Sequence, residues 1–335
     1  MADIRKKPVW LDCDPGHDDA LAIILAAYHP SLELIGISTV VGNQTLDRTT
    51  QNAYKIAYIA GLPNNIPIIR GCGEALCRRV ITCPEIHGQT GLDGADIPEH
   101  PEYKTLIKQQ DENYLWNIYQ KIVDVGRPVT LIATGQLTNI ALLLKVFPQI
   151  KNSLSEIVLM GGCIGIGNMT PGSEFNFMND PDAAHIVFTS PHVPRLVMVP
   201  LELTHTVCVI PNVSERLRSL ATPFSSILDH LLHFFAATYK QVFQFDSPPL
   251  HDPCAVAYVA NKDLFEEQMM HVDIERTSEF CPGRTVCDMF DMHRKEKNCV
   301  VVMKIKEVEQ FWNMMLEAIE LANKKSPVNQ IKQTQ

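Results

Sequence analysis

The 335-residue chain is 46% hydrophobic and 20% charged, with a formal charge of -9 and a pI near 5.7. This is the composition of a soluble globular protein, and its acidity argues against a phosphate-backbone binder, so no nucleic-acid partner is expected. Apolar runs such as 20–28 and 128–133 are too short to cross a bilayer, and the polar, basic start lacks the apolar stretch of a secretory signal, so no membrane partner and a cytoplasmic location are expected.

In chain order, the apolar run Val9-Trp10-Leu11 ends in Asp12-Cys13-Asp14, a Pro15-Gly16 turn follows, and Asp18-Asp19 open the helix-forming segment Ala20 to Tyr28. The order reads as strand, acidic loop, helix, which sets the carboxylates at the ligand edge of a parallel α/β sheet. A single aspartate there is explained as a helix cap. Four exceed what capping needs, and their mutual repulsion in a half-buried crevice calls for a hard, oxygen-ligated divalent cation.

A second strand over 32–41 ends in Gly42-Asn43-Gln44, a helix over 47–60 follows, and 67–70 reads as a short strand. The stretch 71–101 has no clear periodicity and reads as a lid or binding loop that could bring His87 over a site. Further on come a helix over 114–125, a buried strand over 128–133 and a turn into a helix over 135–146, which Pro148 ends. The cycle repeats with a strand over 156–160, a glycine-rich polar loop over 161–177, a helix over 181–189 and a strand over 195–200. From Val213 the pattern turns helical, with 224–243 long and apolar and a helix over 253–260 behind His251-Asp252. Two closing strands are read in 285–302 and an amphipathic helix in 308–322. Alternating strands and helices without a repeat or linker predict one α/β domain over 1–325, an open, mostly parallel sheet flanked by helices, and a polar, disordered tail over 326–335. Ten cysteines scattered from Cys13 to Cys299, with no C-x-x-C pair, read as reduced, mostly buried thiols.

Polar residues recur where apolar runs end: Asp14, Asn43, Thr134, Asn168 to Asn176, and His251-Asp252. Each has a dull explanation as a turn residue, a cap or a solvated loop position. In a doubly wound sheet, however, those ends share one edge and can converge on one crevice.

Asp12-Cys13-Asp14-Pro15-Gly16-His17-Asp18-Asp19-Ala20 resembles the D-x-D-P-G-x-D-D-A signature of the inosine-uridine-preferring nucleoside hydrolases. The resemblance runs on through Gly42-Asn43-Gln44-Thr45, Ala133 to Asn139, Met160-Gly161-Gly162, Asn168 with Glu174-Phe175-Asn176, and His251 to Ala255. It implies a Rossmann-like sheet with one Ca²⁺ at the strand ends, and hydrolysis of the N-glycosidic bond of ribonucleosides to ribose and free base. Carried over by position, Asp14, Asp19, Asp252 and the Thr134 carbonyl hold the ion, an all-oxygen set that suits calcium better than zinc. Asp18, Asn43 and Asn176 hydrogen-bond the 2′- and 3′-hydroxyls, Asn168 and Glu174 the 5′-hydroxyl, and Met160 packs on the sugar. Phe175, within the Glu174-Phe175-Asn176 block, joins the substrate-binding set.

In the reaction so implied, Asp14 is the general base for a water that calcium acidifies, and His251, beside a metal ligand, protonates the leaving base. His87 is a weaker candidate for that acid and for substrate binding, and His17 reads as a variable position in the signature. The resemblance also implies a homodimer or homotetramer, a place in purine and pyrimidine salvage, and a relatively broad inosine/uridine-type preference. Gly165-Ile166-Gly167 is not a dinucleotide fingerprint, since the third glycine is missing. Gly16 at the fifth position removes an EF-hand, and a dehalogenase-type phosphatase would want Thr or Val there. A non-catalytic nucleoside-binding protein is the other alternative, opposed by the presence of Asp14.

Overall fold

Both faces of the first strand, β1 (Lys7–Cys13), are buried from Pro8 onward, which is why its sequence is a nearly continuous apolar run instead of an alternating one. Val9, Leu11 and Cys13 belong to one apolar layer, with Ile23, Val256 and Met315. Trp10 belongs to the other, with Ile140, Leu144 and Val187. Each large side chain so buried contributes roughly 1.5–3 kcal/mol. The sheet between the two layers is therefore a rigid base for what its strand ends carry.

The computed structural model describes residues 6–110 and 112–330. After β1 come β2 (Leu32–Thr39), β3 (Ile68–Arg70), β4 (Val129–Ala133), β5 (Leu154–Met160), β6 (Leu196–Val199), β7 (Phe265–Met270), β8 (Val272–Ile274), β9 (Thr285–Cys287) and β10 (Cys299–Ile305). Eight of them form one sheet in the order β3-β2-β1-β4-β5-β6-β10-β7, while β8 and β9 pair separately. All neighbours in the large sheet are parallel except β10 and β7. The fold is thus the single domain with a mostly parallel, helix-flanked sheet that the alternation predicted.

Strand order reverses at β1: the chain moves outward through β2 and β3 on one side, and through β4, β5 and β6 on the other. The helices that leave β1 and β4 therefore diverge, and a crevice opens at the carboxyl ends of these two strands. Asp12 is level with Ala133, and the Thr134 N–H donates to the Asp12 carbonyl at 2.8 Å. This register sets Asp14 and Thr134 side by side at the crevice.

The helix His17–Tyr28 is built on an alanine, leucine and isoleucine run, all of it buried to Ala26; Pro30, two residues past its end, favours extended backbone at His29. Other elements differ from the sequence reading. The loop 71–101 contains a short helix, Pro84–His87, and the loop 161–177 gives way to the helix Phe175–Asn179, which the Glu174 side chain caps. The strand β7, Phe-Glu-Glu-Gln-Met-Met, is buried only at its two ends and pairs with β10 alone, so it carries no period-2 signal. Of the two closing strands, β9 belongs to the small ribbon and β10 to the large sheet. The expected tail is corrected at its start: Pro327–Asn329 form a 3₁₀ turn with Val328 buried, and the Asn329 side chain accepts from the Phe224 N–H at 3.0 Å. The remainder of that tail and the first five residues lie outside the described residues. Among the described residues no helix is long and apolar enough to cross a membrane.

Candidate active site

Asp14 leaves β1 between two glycines that make room for it. A Cβ on Gly42 would meet Asp14 Oδ2 at 2.0 Å, and one on Gly135 would meet Oδ1 at 2.7 Å. The carboxylate accepts the Asn43 N–H through Oδ2 at 2.7 Å, while Oδ1 is buried without a hydrogen-bond partner. Asp19, one turn into the helix, accepts from Thr134 Oγ1 at 2.8 Å, from the Gly16 N–H at 3.0 Å and from Asn43 Nδ2 at 3.1 Å. Only the Gly16 bond is helix capping. The remaining two bonds tie the ends of β4 and β2 to one carboxylate.

Asp252 enters from the first turn of the helix Asp252–Ala260. Carboxylate oxygens of Asp18, Asp19 and Asp252 lie within 4.8 Å of one another. Among the described residues no lysine, arginine or histidine forms an ion pair with these three or with Asp14. Burial raises all four above the ordinary carboxylate range, and repulsion from neighbouring carboxylates adds to it for Asp14, Asp18 and Asp252, with Asp18 lifted to about 7 and Asp14 and Asp252 well up. Ionising such a group without a countercharge costs several kcal/mol. The donor set, all oxygen and one atom of it orphaned, fits a hard divalent cation such as Ca²⁺ and offers neither the nitrogen nor the sulfur that zinc prefers.

Above this floor lies a cavity lined by Asp18, Asn43, Thr134, Met160, Asn168, Glu174, Phe175, Asn176, His251 and Asp252, all of them anticipated from the sequence. Asn176 Nδ2 donates to the Thr134 carbonyl at 2.9 Å and to the Met160 carbonyl at 3.1 Å. Asn168 Oδ1 accepts the Phe175 N–H at 2.9 Å. Glu174 accepts N–H groups of Asn176, Gly162 and Phe177, yet burial outweighs these bonds and lifts its carboxyl to about 7. Asp14 and Asp19 lie beneath the wall, fully buried. A larger cleft of about 280 Å³, around Tyr54, His100 and Gln110, is lined by none of these residues.

His251 is enclosed. Thr204 Oγ1 lies 2.8 Å from Nδ1 and the Tyr239 hydroxyl 2.7 Å from Nε2, and burial pushes the ring down to about 3, so it rests neutral. Tyr239 itself lines the cavity, with Cys83, Ile86, Val242 and Phe243. These were not read from the sequence. A tyrosine on the buried stripe Leu228, Leu231, Leu232, Phe235, Tyr239 was the available signal, because a buried phenol needs a hydrogen-bond partner.

His87 is not on the cavity wall. Its ring packs against His17, with Nδ1 atoms 3.2 Å apart, and against Phe235, in the space that the missing Gly16 side chain leaves free. His17 is stacked on Phe234 and Phe235 and its Nε2 lies 2.8 Å from the Asp93 carbonyl. Far from a neutral position of the signature, it seats the 84–93 segment against the first helix. Burial holds both rings neutral, pushing His17 down to about 4 and His87 well below the ordinary imidazole value.

Residues 9–313 match the family model described as inosine-uridine preferring nucleoside hydrolase. The chain is 42% identical over 330 residues to a probable ribonucleoside hydrolase of Dictyostelium discoideum, covering 93% of this chain and 94% of that one. It is 37% identical over 317 residues to the pyrimidine-specific ribonucleoside hydrolase RihB of Escherichia coli, covering 94% and 98%. Among solved structures, the purine-preferring ribonucleoside hydrolase from Gardnerella vaginalis superposes with a TM-score of 0.85 at 30% identity, covering 95% of this chain and 99% of that one.

Proposed function

The chain belongs to the inosine-uridine preferring nucleoside hydrolase family and is a ribonucleoside hydrolase, and from that premise we propose that it works as a Ca²⁺-dependent enzyme of relatively broad base preference, with the residue roles that follow. The observation that carries the reading is the buried meeting of Asp14, Asp18, Asp19 and Asp252 with no basic partner among the described residues. Asp14, Asp19, Asp252 and the Thr134 carbonyl would hold the ion. When bound, it would supply the positive charge that makes a neighbouring water more acidic and favours the ribose hydroxyls.

The rest is the work of side chains. Asp18, Asn43 and Asn176 hold the 2′- and 3′-hydroxyls, Asn168 and Glu174 the 5′-hydroxyl, and Met160 and Phe175 close on the sugar. A 2′-deoxyribose would leave these buried polar groups unpaired, so ribose is favoured. Asp14 Oδ1, free of protein partners, takes the proton of the attacking water as its oxygen bonds to C1′. The C1′–N bond breaks and its electron pair leaves with the base.

The base is protonated via His251. In the tautomer where Thr204 Oγ1 turns its one proton from the Leu201 carbonyl to Nδ1 and Nε2–H donates to the Tyr239 oxygen, the Tyr239 hydroxyl is free to donate to the departing base, and the residual phenolate charge faces the His251 N–H. This chain of donors uses a neutral imidazole, consistent with its depressed pKa. His87 has no such path among its contacts, and we propose for it a supporting role behind Gly16.

Breadth is proposed because one set of relatives is named pyrimidine-specific and a structural neighbour purine-preferring, while the base end of this cavity offers mostly apolar walls. We also propose a cytoplasmic homodimer or homotetramer acting in purine and pyrimidine salvage. Incubation with uridine, cytidine, inosine and 2′-deoxyuridine, reading free base and ribose by chromatography, tests the function. Release of base from the three ribonucleosides is expected; binding without release would leave a nucleoside-binding protein.

A further inference from the structure

The loop between β5 and the helix Phe175–Asn179 brings Asn168 and Met169 to the cavity wall, and hydrogen bonds to the body of the protein gather at its root, where the Leu201 N–H donates to the Gly162 carbonyl and Thr285 Oγ1 to the Cys163 carbonyl. At its root the Gly162 N–H donates to Glu174, and the Cys163 N–H donates to Thr285 Oγ1. Its tip closes on itself: the Gly167 N–H donates to the Pro171 carbonyl, and the Asn168 and Met169 N–H groups donate to the Ser173 carbonyl. Between root and tip, three successive N–H groups converge on one carboxylate. Glu202, from the short helix Leu201–Thr204, accepts from Ile164 through both oxygens at 2.9 Å, from Gly165 at 2.7 Å and from Ile166 at 3.3 Å.

Such a run of N–H groups is an anion-binding concavity, and here the anion is part of the chain itself. Bonds from N–H groups to an ionised carboxylate are among the stronger ones. Gly165 and Ile166 are exposed, so without the carboxylate these N–H groups would turn to water and the limb would lose its fixed course. Asn168 Oδ1 is committed to the Phe175 N–H, which leaves its Nδ2 to face a ligand. We propose that Glu202 is a positioning residue, which does not touch substrate but holds the 164–166 limb so that Asn168 meets the 5′-hydroxyl of the nucleoside. The inference rests on the 5′-hydroxyl role proposed for Asn168.

The test compares uridine with 5′-deoxyuridine for the wild type, Asn168→Ala, Glu202→Ala and Glu202→Gln. Glu202→Ala is expected to raise KM for uridine about tenfold and to erase most of the preference over 5′-deoxyuridine, with kcat on the 5′-deoxy substrate unchanged. Glu202→Gln is expected to retain most of the preference, because one oxygen, Oε1, takes a bond from each of the three N–H groups. Should Glu202→Ala fold poorly, amide hydrogen exchange in Glu202→Gln reads the same limb, with protection at Ile164 to Ile166 expected to persist. Equal losses on both substrates in a folded Glu202→Ala, or an unchanged substrate ratio, would overturn the inference while leaving the 5′ assignment intact. A wild type that does not prefer uridine over 5′-deoxyuridine, or an Asn168→Ala variant that keeps the full wild-type preference, would refute that assignment and the inference with it.

Discussion

At one end of the cavity the side chains come from strand ends and helix starts and carry charge: Asp14 and Asp19 beneath, Asp18, Asp252, Asn43 and Asn176 above. Elsewhere on the wall, Cys83 with Glu85 and Ile86 come from the start of a short helix in a long loop, and Tyr239, Val242 and Phe243 from the last turns of the helix Pro223–Phe243, a mostly apolar group in which Glu85 is the one carboxylate. The first region is fixed by register, since β1, β2 and β4 bring their ends level whatever the loops do. The second depends on how one helix and one loop lie across the crevice. On the roles proposed above, a hydrolase built this way would have an exacting sugar site and an adjustable base site. Relatives that match over 90% of this chain carry names that agree on ribonucleosides and differ over the base, as that proposed contrast would lead one to expect.

The largest effect is expected at the charged end. Asp14→Asn should still bind a ribosyl inhibitor, since the amide keeps one oxygen, but should lose on the order of a hundredfold or more in kcat because it cannot take a proton. Near-normal kcat would remove Asp14 from the chemistry and leave the charged end a binding site only.

At the base end, His251→Ala should lower inosine hydrolysis by roughly a hundredfold. With p-nitrophenyl riboside, whose leaving group departs without a proton, the same variant should be nearly normal, because the charged end is untouched. Tyr239→Phe should share this split if the hydroxyl lies between His251 and the base. Equal losses on both substrates would mean that His251 orients Asp252 and that the two ends do not act separately.

A smaller effect, of a few degrees in Tm, separates the aspartates from Glu174 by pH. In chelated protein, burial keeps Asp18 protonated up to about 7 against an ordinary 3.8, and Glu174 up to about 7 against 4.5. In the unfolded chain both ionise near 4, so unfolding between those values releases protons, and stability should fall as pH rises from about 4 to about 7 and then level off. Added Ca²⁺ should flatten the part due to the aspartates and leave the part due to Glu174. A chelated protein whose Tm rises over this range would contradict the assigned shifts.

The charged end was legible in the sequence because its residues sit at the junctions of strongly patterned elements. Val9 to Tyr28 announces strand, turn and helix, and Thr134, Asn176 and Asp252 each follow or open an apolar run. The parallel sheet followed from the same alternation. The base end was hidden for a physical reason: 224–243 reads as an apolar helix, and nothing local says that Tyr239 will meet His251. Gln244, in left-handed conformation at φ 60°, ends that helix and leads the chain back toward His251. The strand β7 was missed because its inner positions are exposed, and His17 was undervalued because its partners, His87 and Phe234, are distant in sequence.

The central claim is that Asp14, Asp19, Asp252 and the Thr134 carbonyl form a cation site on which turnover depends. Elemental analysis of the purified protein, with uridine hydrolysis measured before chelation, after extended dialysis against EDTA and after return of Ca²⁺, tests it most directly. The account predicts about one calcium ion per chain, lost together with activity and regained together with it. A protein shown to be free of divalent metal that hydrolyses uridine at an undiminished rate would contradict it.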